Sequence, residues 1–406
     1  MANMQSLSLG IWIKVGGRYE TFQNKGVSHF LEHLLFKGTK KYSCRKIKES
    51  IEGVGGSLNG FTSEELTCYL VKIPARYLNL ALDVLSDMVV NPLLPKLEVE
   101  KEKQVILEEL KMYKDQPQSY VFELLDELLW PNQPIGSPII GTVESLTQTN
   151  RQEISLFKER HYTAPNIVVS AAGLLDFNQL EKNVAKVFSG QKKDNPNTFL
   201  AARETQNKSQ VKLFRKDTEQ THLTLGFHSF RRDHHLKHAL GLLNVILGAN
   251  MSSRLFNELR EKRGLAYEIG TQARRFYDTG AFIVHAGIDN RKVMQAIELI
   301  LKELTRIREN LVTEDEFKRA KDFYLGQLLL ALEDTMDNML WIGETTVTQD
   351  KTYTIADIIS EVKKVTREDL KETAKQIFRE EKINLALIGP LADGEKKIYQ
   401  HLHLGK

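Results

Sequence analysis

The sequence has few of the features that mark secreted and membrane-spanning proteins. It contains two cysteines, Cys44 and Cys68, which are too few for a disulfide framework and do not form a Cys-x-x-Cys pair. No apolar run approaches the about 18 residues of a membrane-spanning helix, and the N-terminus lacks a basic region followed by a hydrophobic segment. These absences predict free thiols in a reducing compartment, no membrane span and a cytoplasmic location.

Net charge is also small. The chain carries 56 Lys and Arg against 53 Asp and Glu, interspersed along its length, for a net charge of +3. A nucleic-acid-binding surface needs a concentrated basic patch, so nucleic acid is excluded as an expected partner. What the chain does have is 41% hydrophobic residues over 406 positions, which is enough to build the cores of two or more domains.

Two histidines with a carboxylate between them stand out in the pentapeptide HFLEH that begins at His29. On a helix, His29 and His33 share a face, so both imidazoles can reach one metal ion. Glu32 then lies beside that ion, in the order H-x-x-E-H, where it can polarise a water molecule. Apolar neighbours predict a helix ending near Gly38. The alternative is a pair of core or surface histidines without a metal.

A third ligand is expected because a catalytic zinc site needs three protein ligands and an open position. The acidic segment Glu98–Leu110 has helical periodicity, and Glu102 and Glu109 in it are two turns apart on one face. Acidic helices are usually only solvated faces. Spacing alone does not distinguish Glu109 from Glu108.

The motif and the acidic helix together resemble the inverzincin family of pitrilysin, insulin-degrading enzyme and the mitochondrial processing peptidase. In that family a glutamate on the later helix is the third ligand, and another glutamate one heptad earlier supports the site. The resemblance implies that His29, His33 and Glu109 bind one Zn²⁺ per chain. It also implies that Glu32 is the general base and that Glu102 orients the site.

The resemblance extends over nearly the whole chain. Trp130–Gly136 and Tyr162–Asn166 match family segments, and Gly55–Ser63 resembles the edge strand of the active site. That strand usually reads Asn-Ala where this chain has Asn59 and Gly60. The resemblance implies that these two residues bind an extended peptide by strand addition. The alternative is a turn followed by an ordinary strand, with Gly60 as a bulge glycine.

Periodicity predicts a repeated order of elements. In the first half we expect strands near 5–14, 57–61, 66–73 and 166–172, and helices near 28–36, 43–52, 76–90, 96–129 and 176–189. In the second half we expect strands near 210–215, 221–227, 266–274 and 281–288, and helices near 235–248, 291–309 and 314–331. The polar stretch Gly190–Asn197, continuing to Lys208, is interpreted as a linker.

This order predicts an α+β fold of two homologous domains, 1–195 and 209–406. Each is expected to be a mostly antiparallel sheet with helices packed on it, and the resemblance implies that they form half of a clamshell. Aligning Glu98–Lys103 with Glu316–Lys321 places Gln327 opposite Glu109. The same alignment pairs Ala320 with Glu102, Leu247 with His29, Asn250 with Glu32 and Met251 with His33. The metal ligands are therefore expected only in the first domain, and the second is expected to complete the substrate cleft.

The second domain carries its own pair of interest, Arg260 and Tyr267. Taken alone, they are interpreted as a surface ion-pair residue and an amphipathic aromatic residue. In the family, the matching Arg and Tyr reach across the cleft to the substrate carbonyl, where they donate hydrogen bonds. Arg263 is near in sequence but lies off this pattern.

Two hypotheses of different classes follow. The first is a zinc endopeptidase that cleaves peptides or unfolded and targeting segments. The second is a noncatalytic structural or partner subunit, since the family includes such members. Those members lose the H-x-x-E-H residues, which this chain keeps, so the first hypothesis is favoured. The chain resembles the short branch of the family, which predicts a homodimer or a heterodimer with an inactive homologue.

Overall fold

The chain folds into two compact units, each assembled from separate stretches of sequence. The computed structural model describes residues 1, 3–194, 198–349, 351–391 and 394–404. The first unit comprises Met1–Lys111, Ser137–Leu200 and Leu329–Tyr353. The second unit comprises Met112–Gly136, Ala201–Leu328 and Thr354–Lys406.

Each unit is built on one sheet. In chain order the strands are β1 (Ser6–Ile13), β2 (Ser57–Thr62), β3 (Thr67–Pro74), β4 (Ile167–Gly173), β5 (Gln210–Arg215), β6 (Gln220–Ser229), β7 (Ala266–Arg275), β8 (Gly280–Asp289) and β9 (Asn384–Gly389). The first sheet has the order β2-β3-β1-β4 and the second has β7-β8-β6-β9-β5. All neighbouring strands are antiparallel except β5 and β9, which are parallel. The second sheet thus repeats the first and adds β5 at one edge.

Helices cover these sheets. In chain order they are α1 (Val27–Leu35), α2 (Cys44–Glu52), α3 (Leu78–Val90), α4 (Lys96–Asp115), α5 (Pro117–Leu129), α6 (Val143–Gln148), α7 (Arg151–His161), α8 (Phe177–Phe188), α9 (Lys237–Leu247), α10 (Val293–Glu309), α11 (Glu314–Ala331), α12 (Thr335–Gln349), α13 (Ile355–Lys364), α14 (Arg367–Ile377) and α15 (Gly394–Tyr399). The α+β prediction with two mostly antiparallel sheets is confirmed. No helix in the described part of the chain combines the length and apolar character needed to cross a bilayer.

Both faces of the central strand β1 are buried, because its side chains alternate between two clusters. The residues that face the main core of the first unit are Leu7, Leu9, Ile11 and Ile13. On the opposite face, Trp12 packs with Met339 of α12. The Trp12 indole N–H donates to Ser170 Oγ at 2.8 Å. A helix encoded late in the sequence therefore completes the first unit.

The second unit shows the reciprocal arrangement. Helix α5, encoded in the first half of the sequence, packs on β6 and β9, and its Leu125 shares a cluster with Ile388. The units therefore differ from the contiguous ranges 1–195 and 209–406, because α5 and α12 are exchanged between the halves of the sequence. Residues 195–197 of the expected linker lie outside the described residues.

One predicted helix was wrong in its extent. The segment 96–129 forms two helices, α4 and α5, separated at Gln116. Pro117 explains the break, because proline disfavours helical geometry in the preceding residue, and Gln116 has extended backbone angles. Helices α6, α7 and α12 to α15 and strand β9 were not predicted. Cys44 and Cys68 are free thiols, as expected.

Candidate metal centre

Helix α1 begins at a fixed point because its N-terminus is held by a buried carboxylate. Gly26 has φ 89°, and a Cβ there would lie 2.5 Å from the carbonyl oxygen of Ile140. Glu20 accepts hydrogen bonds from the N–H of Gly26 at 2.9 Å and of Ser28 at 2.8 Å. Burial raises the pKa of Glu20, and the Lys25 ammonium 3.5 Å away opposes this shift. The helix is thereby anchored directly before His29.

The imidazoles of His29 and His33 lie side by side, with ring centroids 4.6 Å apart. Phe30, Leu31 and Leu34 point into the core and fix the helix rotation. Burial, with a smaller contribution from His33, lowers the pKa of His29 to about 3. His29 is therefore neutral near pH 7, which is the protonation state that a metal ligand requires.

Glu109 of α4 faces both histidines. One of its carboxylate oxygens lies 3.9 Å from His29 Nε2 and the other lies 3.6 Å from His33 Nε2. Glu108 instead points outward, where its side chain is 72% exposed and pairs with Lys111 at 2.7 Å. The rotation of α4 thus distinguishes the two glutamates that spacing left open.

These three side chains fit a zinc ion. Their ligand atoms lie within 4.8 Å of one another, and no other such group of three occurs among the described residues. Tetrahedral ligands about 2.0–2.1 Å from zinc are separated by about 3.4 Å, close to the distances from Glu109 to the two imidazoles. Two imidazoles and one carboxylate also leave a fourth position open, as in catalytic zinc sites.

Glu102 lies behind His33. One of its oxygens is 3.2 Å from His33 Nδ1, and the other is 2.5 Å from the ammonium of Lys37. A carboxylate at Nδ1 holds the proton there, so that Nε2 presents its lone pair to a metal. By contrast, Nδ1 of His29 is buried without a hydrogen-bond partner among the described residues.

Glu32 is buried next to the three side chains that could bind the metal. The hydroxyl of Thr62 donates a hydrogen bond of 2.6 Å to its carboxylate. Burial raises the pKa of Glu32, and the bond from Thr62 opposes this shift. Sequence reasoning missed Thr62. The period of two along β2, which puts Thr62 on the same face as Gly60, is the signal that could have indicated it.

Strand β2 pairs with β3 along one edge of the first sheet. The N–H of Gly60 donates to Asn59 Oδ1 at 2.8 Å. A Cβ at Gly60 would lie 3.2 Å from both the Glu32 carboxylate and the Phe36 ring. The pairing of β2 with β3 has no register shift, so Gly60 serves a close approach of backbone to Glu32 rather than a bulge.

Arg260 and Tyr267 come together on the second unit. The guanidinium of Arg260, in a π-helical turn, lies 4.9 Å from the centre of the Phe256 ring and 5.5 Å from that of Tyr267. Tyr267 is 74% exposed and lies beside a β-bulge at the start of β7. Arg263 points elsewhere, since it pairs with Glu258.

Among the described residues of the second unit, no group of three side chains is placed to hold a metal ion in this way. Helix α11 begins where the alignment with α4 requires, and Ala320 is buried in its core. The alignment is wrong at α9, because that helix ends at Leu247. Asn250 and Met251 therefore lie beyond it and are not the counterparts of Glu32 and His33.

Known protein families match both halves of the chain. Residues 2–143 match the family described as Insulinase (Peptidase family M16), and residues 148–324 match the Peptidase M16 inactive domain. The uncharacterized zinc protease YmxG of Bacillus subtilis is 36% identical, with 95% of this chain and 94% of that protein covered. An uncharacterized zinc protease of Streptomyces coelicolor is also 36% identical, with coverages of 97% and 87%.

Two solved structures share the fold. A protease from Helicobacter pylori superposes with a TM-score of 0.89 at 22% identity, covering 96% of this chain and 95% of that one. A peptidase M16 inactive domain from Pseudomonas fluorescens also gives a TM-score of 0.89, at 19% identity and with coverages of 97% and 95%. At these identities the likeness extends to the fold alone.

Proposed function

Because the chain belongs to the M16 peptidase family, we propose that it is a zinc-dependent endopeptidase. The observation that carries the proposal is the convergence of His29, His33 and Glu109 beside the buried carboxylate of Glu32. Three ligand side chains and an adjacent general base are what metal-assisted hydrolysis of a peptide bond requires.

The reaction divides between the metal and the chain. His29, His33 and Glu109 would hold the zinc ion, which would supply Lewis acidity towards the scissile carbonyl and towards a water molecule. Glu32 accepts the proton of the attacking water and then delivers it to the leaving amine. The hydrogen bond from Thr62 fixes one oxygen of Glu32, so that the other remains to accept the proton.

The proposed substrate is a peptide or an unfolded or targeting segment in extended form. The edge strand β2 offers its backbone for strand addition around Asn59 and Gly60. Arg260 and Tyr267 are proposed to donate hydrogen bonds to the substrate carbonyl. Their exposure and mutual contact support this role.

A noncatalytic role as a structural or partner subunit is the second candidate. It is favoured by the match of residues 148–324 to a domain described as inactive. The complete set of three possible metal ligands in the other half argues against a noncatalytic role for the chain as a whole. In either case we propose assembly as a homodimer or as a heterodimer with an inactive homologue.

The test is cleavage of a quenched library of unstructured peptides, with zinc content measured on the same samples. Wild type is expected to cleave, and Glu32→Gln is expected to keep its zinc and lose about 10²- to 10⁴-fold in rate. A fully active Glu32→Gln would overturn the assignment of the base. Zinc-loaded wild type that cleaves nothing would favour the noncatalytic role.

A further inference from the structure

We propose that Lys37 is a positioning residue for the metal centre, acting through Glu102 on the ring of His33. This inference rests on the zinc site of the proposed function and gives a role to a side chain outside the ligand set. Lys37 lies just beyond the end of α1, and its backbone N–H donates to the carbonyl of Leu34 at 3.0 Å. The end of the helix that bears both histidines therefore also places the lysine.

Successive contacts connect the ammonium of Lys37 to the imidazole of His33 through the carboxylate of Glu102. Lys37 Nζ lies 2.5 Å from one oxygen of Glu102, whose other oxygen lies 3.2 Å from His33 Nδ1. His33 Nε2, on the far side of the ring, faces Glu109 at 3.6 Å. Each oxygen of Glu102 thus has its own partner, which defines the plane of the carboxylate and with it the direction of the His33 ring.

Burial explains why Glu102 needs the lysine. Its side chain is 7% exposed, and a carboxylate removed from water is costly unless it is paired. Glu109, on the same face of α4, is 33% exposed and faces the two histidines. Without an ammonium at Lys37, the Glu102 carboxylate would turn towards water, and this change would release His33 Nδ1.

The test is the affinity of the full-length chain for Zn²⁺, measured by competition with a chromophoric chelator. Lys37→Met is expected to weaken binding about 10- to 100-fold, the usual effect of losing a group that supports a ligand. Lys37→Arg keeps the charge and is expected to recover most of this loss. Lys101→Met is the matched control, because Lys101 on α4 pairs with Glu98 at 3.0 Å at the surface, and it should bind as wild type does.

A double-mutant cycle separates positioning through Glu102 from a general effect of the charge. Glu102→Ala should weaken binding, and adding Lys37→Met to it should cause no further loss. Unchanged or tighter binding by Lys37→Met, or additive losses in the cycle, would overturn the inference. The unfolding temperatures of the zinc-free variants check that Lys37→Met and Lys37→Arg are folded.

The affinity for zinc is measured without any proteolysis, so the experiment distinguishes failure of one proposal from failure of the other. A wild type that binds zinc but cleaves nothing refutes the endopeptidase and leaves the role of Lys37 standing. A wild type that does not bind zinc refutes both.

Discussion

The two units share a strand order and differ in the helical layer that corresponds between them. In the first unit, α1 and α4 bring together His29, His33 and Glu109. In the second unit, most residues of α9 are apolar and buried, and α11 is joined through Glu316 to Arg254 by two hydrogen bonds of 2.7 and 2.6 Å. The same strand order occurs with either set of side chains, so the packing does not require the metal ligands.

The exchanged helices differ in a similar way. Helix α12 contacts the first sheet through small and apolar groups, with Gly343 against the ring of Trp12. Helix α5 contacts the second sheet through apolar residues and also through charges, since Asp126 pairs with Arg274 at 2.8 Å and Glu127 pairs with Lys212. The packing of α12 therefore depends on close contact of small and apolar groups, and the packing of α5 depends partly on ion pairs.

The largest expected effect concerns the second unit, which has no metal ligands, and its contribution to the rate of peptide cleavage. Arg260→Ala is expected to lower kcat by about 10²- to 10³-fold, the usual effect of removing one donor to the developing negative charge. Zinc affinity should stay unchanged, because the ligands lie in the other unit. Arg263→Ala is the control, since Arg263 pairs with Glu258. If Arg260→Ala were as fast as this control, the second unit would have only a structural role.

A smaller effect would test whether α12 depends on close packing, with a glycine of α11 as the comparison. A Cβ at Gly343 would lie 2.1 Å from the Trp12 indole, so Gly343→Ala should lower the free energy of unfolding by about 3 kcal/mol. Gly326 on α11 has no atom within 4 Å of such a Cβ. Gly326→Ala should therefore raise it by about 0.5–1 kcal/mol. Denaturant titration of both variants measures this, and equal effects would contradict the packing argument.

The smallest effect concerns α5 and pH. Burial, and then repulsion by Asp126 and Glu127, raises the pKa of Glu123 from 4.5 to about 7. A raised carboxyl pKa favours the folded state below pH 4.5, and this contribution is lost as pH rises through 7. Glu123→Gln should therefore be more stable than wild type by about 2 kcal/mol at pH 8, with a difference that vanishes below pH 4.5.

Chemical unfolding at pH 4.5 and pH 8 measures this difference. Glu159→Gln is the control for loss of one charge, since Glu159 is 58% exposed on α7. A Glu123→Gln difference that does not change with pH would show that Glu123 is not protonated on folding.

Much of the site could be predicted because it is local. The positions of His29, Glu32 and His33 within one helix fix their relation before any tertiary contact forms. The choice of Glu109 over Glu108 depends on how α4 is rotated, which its buried residues Ile106 and Leu110 decide. Spacing could not supply that rotation, and only the family resemblance indicated Glu109.

Other features could not be predicted because they depend on distant partners. The contact of Lys37 with Glu102 and that of Thr62 with Glu32 each join separate elements. The apolar stripe of α5 shows that the helix must pack on an apolar surface, and it does not specify which sheet provides that surface. The exchange of α5 and α12 therefore leaves no local trace in the sequence.

That exchange bears on how the protein is made. The last strand of the first sheet ends at Gly173, but the helix that covers the Trp12 face of this sheet ends at Gln349. At the usual synthesis rate of about 5–20 residues per second, this face stays open on the ribosome for roughly ten seconds or more. The apolar face of α5 is fully covered only after β6 and then β9, which ends at Gly389, have been synthesised. Chaperones could bind these two apolar surfaces on the nascent chain, because neither unit can be completed from one half of the sequence alone.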